Sequence, residues 1–235
     1  KIYCRTIQKH NSFLNYIFKE KSKDENLRFS LYFCLMNSLF QSEPIELHLP
    51  DALLIYYPNF FDPKEADALF EQLKTDIPWQ QDEIRVFGKT HPQPRLTALF
   101  GNEGKSYSYS NIKMELHPWN PLLQKIKSRV EIVSNTNFTT VLLNLYRDGK
   151  DGNGWHADNE KELGTNPIIA SMSFGAERVF QLKHNSIPDL KQNILLEHGS
   201  LLLMKGTTQH FWKHQIPKTS KPIGPRINLT FRLIE

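Results

Sequence analysis

The sequence predicts a mostly β protein with flanking helices, and three observations support this fold class. After Asn137 the chain is a series of β-branched and apolar runs separated by Gly, Pro, Asn and Asp residues. No helical pattern stands between these runs, which indicates an antiparallel sandwich or barrel, with a jelly roll as a natural candidate. Two helix start signals precede the strands, so we expect two helices packed against the outer face of one sheet.

The composition is typical of a globular protein, with 39% hydrophobic and 23% charged residues among 235. The longest apolar run covers residues 29–40, well short of the roughly 20 residues that span a bilayer. The start shows no signal-peptide order of basic, apolar and small residues. The two cysteines, Cys4 and Cys34, make neither a disulfide framework nor a metal site, which fits a reducing compartment. These features predict a protein without membrane attachment, and we expect it to be a monomer.

The elements before Asn137 are predicted from local signals. Residues 1–45 show no clear amphipathic pattern, so we treat them as an N-terminal extension of uncertain structure beside a main domain at 46–235. The segment "IELHLPDALLIYYPNFF" indicates extended chain broken by prolines. The first helix begins with Asp62 as N-cap and Pro63 in the first turn, and Asn120 and Pro121 repeat this signal for a second helix.

Between the two helices, residues 79–118 are rich in Pro, Gly, Tyr and Ser, which predicts short strands and loops. The strands that follow are predicted in the runs "FTTVLLNLY", "PIIASMSFG", "ERVFQLKH", "NILLEHGSLLLMK" and "RINLTFRLI".

The last of these strands has polar residues at every second position. Because alternate side chains of a strand share a face, one face carries two guanidinium groups, an amide and a hydroxyl. These residues are Arg226, Asn228, Thr230 and Arg232. The opposite face is apolar and belongs to the core. The polar face must point either to solvent or into a cavity with an anionic occupant, since arginine is suited to bidentate carboxylate binding.

Two further segments bring polar groups to predicted strands. In "TTVLLNLY", Leu142, Asn144 and Tyr146 share a face, and in "HFWKH" His210, Trp212 and His214 do so. The segment "NGWHADNEKELG", a polar loop by composition, holds His156 and Asp158 two positions apart.

A His-x-Asp pair with a distant histidine is the ligand set of non-haem Fe(II) oxygenases. Three ligands on one octahedral face leave three positions for a bidentate oxo-acid and dioxygen. The spacing alone does not choose between His210 and His214 as the third ligand.

The net charge of +4 lies mostly in residues 1–45, so the overall charge is weak evidence for a polyanionic partner. The distribution is more informative, because no acid occurs between His198 and Ile234 while six basic residues do. These are Lys205, Lys213, Lys218, Lys221, Arg226 and Arg232. A local basic face is the relevant electrostatic feature.

Roughly residues 50–235 resemble the AlkB-type Fe(II)/2-oxoglutarate dioxygenases that repair alkylated nucleic acids. The resemblance is carried, in the expected order, by "PRLTALFG", "SYSYSN", "LLNLYRDGKDGNGWHADNEKELG", "PIIASMSFGAERVFQLKH", "HGSLLLMKGTTQHFWKH" and "GPRINLTFR". It implies a double-stranded β-helix, which is a jelly roll, with Fe(II) as metal, 2-oxoglutarate as co-substrate and O2. It assigns His156, Asp158 and His214 to iron, and thus selects His214 over His210.

The resemblance also implies the residues that surround the iron. Arg226 would bind the far carboxylate of 2-oxoglutarate, and the rest of that pocket would be formed by Asn144, Tyr146, Asn228, Thr230 and Arg232. The base would be held by Tyr107, Tyr109, Ser110 and Glu160, with His156 stacked opposite. The implied reaction is oxidative demethylation of N-alkylated bases of the 1-methyladenine and 3-methylcytosine type, releasing formaldehyde, succinate and CO2.

The region 79–118 resembles a nucleotide-recognition lid with a hairpin. Phe87 would be its wedge into a duplex, since intercalating apolar residues compensate for lost base stacking. Phosphate contacts would come from Lys89, Lys205, Lys218 and Lys221. In duplex-preferring relatives a compact basic run precedes the arginine strand, whereas here "PKTSKPIG" splits two lysines. Double- and single-stranded DNA both stay open as partners.

RNA also stays open as a substrate, and so does a catalytically silent nucleic-acid-binding module that keeps the fold. An oxygenase acting on protein or a small molecule is a further alternative, against which the Phe87 hairpin and the tyrosine pair argue. The expected compartment is the cytoplasm in a bacterium and the nucleus in a eukaryote.

Overall fold

The computed structural model describes residues 43–86, 89–104, 108–109 and 112–234. The described residues form sixteen strands, most of them in two antiparallel sheets. The strands are β1 (Ile45–Leu49), β2 (Ala52–Tyr57), β3 (Glu83–Val86), β4 (Lys89–Pro92), β5 (Leu96–Gly101), β6 (Ser108–Tyr109), β7 (Ile112–Lys113), β8 (Leu116–Pro118), β9 (Thr140–Tyr146), β10 (Asn153–His156), β11 (Ile169–Gly175), β12 (Arg178–His184), β13 (Lys191–Leu196), β14 (Leu201–Lys205), β15 (Trp212–Ile216) and β16 (Arg226–Arg232).

The main sheet has eight strands in the order β1-β2-β14-β11-β16-β9-β5-β8, and the smaller sheet has four in the order β10-β15-β12-β13. All pairs in these sheets are antiparallel except β5 with β8. Apolar residues of both sheets, such as Leu142 and Leu202 from one and Phe180 and Leu182 from the other, belong to one buried cluster. The sheets therefore pack face to face, which confirms the predicted jelly roll.

In the described part of the chain, three α-helices accompany the sheets. They are α1 (Pro63–Asp76), α2 (Pro121–Ser134) and the short α3 (Thr208–Phe211). The predicted caps are confirmed, because Asp62 accepts a hydrogen bond from the Glu65 amide at 2.9 Å and Asn120 accepts one from the Leu123 amide at 2.8 Å. Helix α2 ends where Asn135 adopts a left-handed conformation with φ 53°.

The second buried cluster lies between the two long helices and the main sheet. Leu69 and Leu73 of α1 and Ile126 of α2 pack in one cluster with Leu143 of β9 and Leu229 of β16. The helices thus cover the outer face of this sheet, as the sequence predicts. Because the opposite face of the same strands points toward the smaller sheet, β9 and β16 can line an internal cavity with alternate residues.

The run "NILLEHGSLLLMK" contains two strands that belong to different sheets. Strand β13 lies in the smaller sheet and β14 in the main sheet. Between them Gly199 has φ 75°, and a Cβ there would lie 2.7 Å from the Phe61 carbonyl oxygen. The chain needs glycine at this point because it changes sheets against the main chain of a neighbouring segment.

Two sequence interpretations are wrong in detail. The polar loop at residues 153–164 begins with a strand, because Asn153–His156 pairs with β15. The predicted strand "HFWKH" begins only at Trp212, since His210 and Phe211 belong to α3. His210 therefore does not share a strand face with His214.

The predicted extension at residues 1–45 lies outside the described part apart from 43–45, so its boundary stays a prediction. The predicted lid, residues 79–118, includes the antiparallel hairpins β3–β4 and β6–β7. Its role in nucleotide recognition also stays a prediction. Among the described residues no helix is long and apolar enough to cross a membrane.

Candidate metal centre

His156 of β10, His214 of the adjacent strand β15, and Asp158 just beyond the end of β10 form a cluster. One nitrogen of each ring and one carboxylate oxygen all lie within 4.8 Å of one another. The Asp158 and His214 side chains are buried, and the two imidazole centroids are 4.3 Å apart. Two imidazoles and a carboxylate converging on one point are the donor set that suits a divalent iron.

The local strand pairing accounts for this convergence. His156 and His214 are direct partners in the antiparallel ladder between β10 and β15. The register shifts between Asn153 and His156, and β10 ends at His156. Because the chain leaves the strand there, Asp158 can turn back toward the two rings.

Hydrogen bonds orient the segments that carry His156 and Asp158. The Nδ1 atom of His156 lies 2.7 Å from the Gly154 carbonyl oxygen, which makes Nδ1 the protonated nitrogen and leaves Nε2 with a lone pair. The Asp158 main-chain amide donates to Oε1 of Gln209 at 2.9 Å, and Arg232 donates to Oδ1 of Asp158 at 2.7 Å. The cluster is therefore held in place by hydrogen bonds with β10, α3 and β16.

The electrostatics keep all three groups in the protonation state that binds a metal. Burial lowers the pKa of His156, and burial together with the neighbouring His156 lowers the pKa of His214 to about 3. Burial raises the pKa of Asp158, but the positive charge of Arg232 and the electrostatic effects of His214 and His156 outweigh it and bring the pKa to about 2. At neutral pH the cluster has two neutral imidazoles and a carboxylate, as metal coordination requires.

The polar face of β16 is buried rather than exposed to solvent. The exposed fractions of Arg226, Asn228, Thr230 and Arg232 are 1%, 6%, 8% and 3%. The alternative of a solvated face is therefore wrong. A buried guanidinium is stable only with hydrogen-bond partners or a counter-ion, so this face has to meet an anion or acceptors inside the protein.

The Arg226 guanidinium has a hydrogen-bond partner for only one of its three nitrogens among the described residues. Its Nη2 donates to Oγ of Ser173 at 2.9 Å, while Nε and Nη1 have no hydrogen-bond partner among the described residues. Burial lowers the pKa of Arg226 to about 10, so the group is still a cation at neutral pH. The Tyr146 ring lies 5.3 Å from its central carbon. Two free donors on a buried cation match the carboxylate of an oxo-acid.

The neighbouring polar residues hold each other in place. Asn228 donates to the Ser171 hydroxyl at 2.9 Å and to the Met172 carbonyl at 3.0 Å, and it accepts from Thr230 at 3.0 Å. Arg95 donates to Oδ1 of Asn144 at 2.7 Å. These bonds keep the amides in one orientation toward the cavity.

One cavity is lined both by the His156, Asp158 and His214 cluster and by the polar face of β16. Nine residues that the sequence proposed for iron or 2-oxoglutarate line it: Asn144, Tyr146, His156, Asp158, His214, Arg226, Asn228, Thr230 and Arg232. Apolar neighbours such as Leu142, Phe180 and Ile216 complete its wall. The structure thus brings together residues that lie more than seventy positions apart in the chain.

Sequence reasoning missed four contributors to this site. Ser171 and Ser173 alternate within an apolar strand run, so the period of two could have marked them as cavity-facing. Arg95 and Gln209 carried no such signal, because their contacts with Asn144 and Asp158 are made across the fold.

The residues proposed for base and DNA binding stay predictions. Glu160 is partly exposed, but its Oε2 atom is buried and has no hydrogen-bond partner among the described residues. Phe87, Tyr107 and Ser110 lie outside the described residues, as does the side chain of Tyr109. Lys89, Lys218 and Lys221 are exposed, whereas the Lys205 ammonium donates to the Ser134 carbonyl at 3.2 Å.

Comparison with known proteins gives one family. Residues 53–232 match the 2OG-Fe(II) oxygenase superfamily. The chain is 45% identical to mouse alpha-ketoglutarate-dependent dioxygenase alkB homolog 3 over 187 residues, which are 76% of this chain and 65% of that relative. It is 38% identical to bovine DNA oxidative demethylase ALKBH2 over 188 residues, covering 76% of this chain and 68% of the relative. The chain thus spans just under two thirds of the length of the alkB homolog 3 proteins that it matches.

Solved structures support the same fold at low sequence identity. The structure of OsALKBH1 superposes with a TM-score of 0.56 at 15% identity, over 81% of this chain and all of the other. A prolyl hydroxylase from Trichoplax adhaerens, solved with a hypoxia inducible factor peptide, has a TM-score of 0.55 at 12% identity, over 90% of this chain and 94% of that one.

Proposed function

The chain belongs to the 2OG-Fe(II) oxygenase superfamily and to its AlkB-type group, and from this premise we propose that it demethylates DNA oxidatively. The proposed substrates are N-alkylated bases of the 1-methyladenine and 3-methylcytosine type. When bound, Fe(II), 2-oxoglutarate and O2 supply the oxidation of the methyl carbon, with release of formaldehyde, succinate and CO2. The observation that carries the proposal is the joint cavity of the His156, Asp158 and His214 cluster and the partly unpaired Arg226 guanidinium.

The residues present fit these groups. His156 and His214 would each give iron a neutral nitrogen and Asp158 a carboxylate oxygen, which leaves positions for an oxo-acid and dioxygen. Arg226 would bind the distal carboxylate of 2-oxoglutarate with its two free donors, beside Tyr146. Phe180, Ile216 and Leu142 would keep water away from the reacting atoms.

Recognition of the base would depend on Glu160 and on the tyrosines of "SYSYS". A methylated adenine or cytosine of the proposed type is a cation, and the partner-less buried oxygen of Glu160 is suited to accept from its amino group. Tyr107 and Tyr109 would flank the base, with Ser110 adjacent and His156 opposite. The base has to leave the helical stack to reach the cavity.

The matched experiment uses the two histidines between which the sequence spacing could not choose. A methylated single-stranded oligonucleotide is incubated with Fe(II) and 2-oxoglutarate, and formaldehyde is measured. We expect Asp158→Ala and His214→Ala to abolish turnover, because each removes a ligand. His210→Ala should retain it, because His210 is exposed and contacts Asn166 rather than the cluster.

Normal turnover by Asp158→Ala would refute the metal assignment. A wild-type protein that binds neither iron nor 2-oxoglutarate would instead favour a silent nucleic-acid-binding module. Parallel reactions on duplex DNA and RNA of the same sequence test the substrate, and preferential demethylation of RNA would replace the DNA proposal.

We further propose that the protein acts as a monomer and is located where its DNA is. This compartment is the nucleus in a eukaryote and the cytoplasm in a bacterium.

A further inference from the structure

The outer face of the four-stranded sheet carries a row of lysines across three adjacent strands. Lys183 of β12 pairs directly with Lys213 of β15 on one side and with Lys191 of β13 on the other. We call these three residues the lysine row. Since neighbouring strands are about 4.8 Å apart, the row spans roughly 10 Å. All three side chains are at least partly exposed.

This arrangement is unfavourable in the isolated protein. Like charges directly opposite each other on neighbouring strands repel, and none of the four strands contains an aspartate or glutamate. Among the described residues, no carboxylate lies within salt-bridge distance of the Lys183 or Lys213 ammonium. The Lys191 ammonium has one carboxylate neighbour in the described part of the chain, Asp189, which lies at 4.0 Å in the adjoining turn and is almost fully exposed. A negatively charged partner would relieve the repulsion.

On the helical side of the molecule, two lysines have carboxylate partners. There Lys125 lies 2.8 Å from Glu65, and Lys127 lies 2.7 Å from Glu131. Lys183 and Lys213 differ from these two lysines in having no carboxylate partner among the described residues.

An exposed aromatic ring accompanies the row. Trp155 is 37% exposed, and the Lys183 ammonium lies 4.5 Å from its ring centroid. Trp155 immediately precedes His156 in the edge strand β10, and consecutive strand residues point to opposite faces. The indole therefore lies on the outside of the strand whose other face presents a metal ligand to the cavity.

Cations beside an exposed aromatic ring suit a single nucleic-acid strand. Phosphates pair with ammonium groups, while an unstacked base stacks on the indole regardless of its sequence. A base inside a duplex does not expose its face in this way. We propose, on the basis of the proposed function, that this outer face binds the single-stranded DNA flanking the base in the cavity, with phosphates on the lysine row and a base on Trp155.

Binding is tested without iron, by fluorescence anisotropy of an unmethylated single strand of roughly 15 nucleotides, near the upper end of known site sizes. Lys183→Gln/Lys213→Gln should bind more weakly, and the negative slope of log affinity against log salt should become shallower by about 1.4, for two lost contacts. The control Lys64→Gln/Lys74→Gln removes the same charge from α1 and should leave the slope unchanged. Trp155→Ala should weaken binding about fivefold or more, with Trp155→Phe keeping much of the affinity.

A turnover series separates this surface from the cavity. On a methylated trinucleotide, which offers few flanking phosphates to the lysine row, the Lys183→Gln/Lys213→Gln variant should lose less kcat/KM relative to wild type than it loses on the longer strand. If the wild type demethylated neither the short nor the long strand, the proposed function would be overturned. The proposed DNA-binding surface would still be tested, because the binding assay needs no turnover.

Equal salt slopes for the variant and its control would overturn the proposal that this outer face binds DNA. The same lysine dependence with duplex DNA would overturn the assignment to a single strand. Tighter, equally lysine-dependent binding of RNA would overturn the assignment to DNA.

Discussion

Arg226 shows at the scale of one residue how a site is built at the expense of stability. Its guanidinium is 1% exposed and retains two donors without a partner among the described residues. A buried cation in this state destabilises the fold unless an anion neutralises it. This state is what the proposed function requires of Arg226, since a bound carboxylate would complete its hydrogen bonds.

Replacing Arg226 should separate binding from stability. We expect Arg226→Met to raise the KM for 2-oxoglutarate at least about 30-fold, because truncating one partner of a buried charge pair costs roughly 2–5 kcal/mol. The same variant should unfold in urea at an equal or higher midpoint without ligand, because an incompletely paired buried charge has been removed. KM and urea midpoints test both expectations.

Arg147→Met serves as the control for this prediction. Arg147 is exposed and pairs with Asp151, so its loss should leave the KM for 2-oxoglutarate unchanged. A normal KM in Arg226→Met would show that another residue binds the distal carboxylate.

At the scale of elements, the change of sheet between β13 and β14 depends on a few polar contacts. Tyr56 of β2 donates to the Glu197 carboxylate at 3.0 Å, and its hydroxyl accepts from the Glu197 amide at 3.1 Å. Ser200 donates to the Glu197 carbonyl at 2.6 Å. These bonds hold the connecting segment against the main sheet, so both sheets depend on a neutral Tyr56 hydroxyl.

The Tyr56 contact predicts a loss of stability in alkali. Burial raises the pKa of Tyr56 from 10.0 to about 12. The unfolded chain therefore loses this proton first, and the stabilisation is complete below pH 10 and declines as the pH rises toward about 12. The decline should amount to about 2–3 kcal/mol.

Urea unfolding of the wild type and of Tyr56→Phe over this pH range measures this loss of unfolding free energy. The difference in unfolding free energy between the two proteins should shrink as the pH rises, because phenylalanine has no proton to lose. A difference that is independent of pH would contradict the prediction.

For the whole molecule, the cavity lies between the two sheets and its wall comes from both. His156 and His214 belong to the smaller sheet, while Asn144 and Arg226 belong to the main sheet. A metal and an oxo-acid bound there would join the sheets in the native state only. Ligand binding should therefore stabilise the protein as a unit.

Thermal unfolding measures this linkage without turnover. With Mn(II) and 2-oxoglutarate each at about 100 times their Kd, stabilisation of at least about 2.7 kcal/mol is expected. That corresponds to a rise in Tm of roughly 5–10 °C for a chain of this size. Asp158→Asn should show no rise, whereas His210→Ala should behave as wild type. An equal shift in Asp158→Asn would mean that the metal binds elsewhere.

Local patterns in the sequence determined much of the fold and the chemical character of the site. The N-caps at Asp62 and Asn120 and the alternation in β16 depend only on neighbours along the chain. For this reason the helix starts and the polar strand face could be predicted. The donor types of the metal cluster were also readable, and the family resemblance favoured His214 as the third ligand.

The tertiary structure decided what depends on distant parts of the chain. Spacing could not show that His210 is an exposed residue of a short helix, that the polar face of β16 is buried, or that residues 193–205 divide between two sheets. Gln209 and Arg95 contact Asp158 and Asn144 only because segments far apart in sequence become neighbours in the fold. Burial, register between strands and long-range hydrogen bonds are properties of the assembled sheets, and no local pattern encodes them.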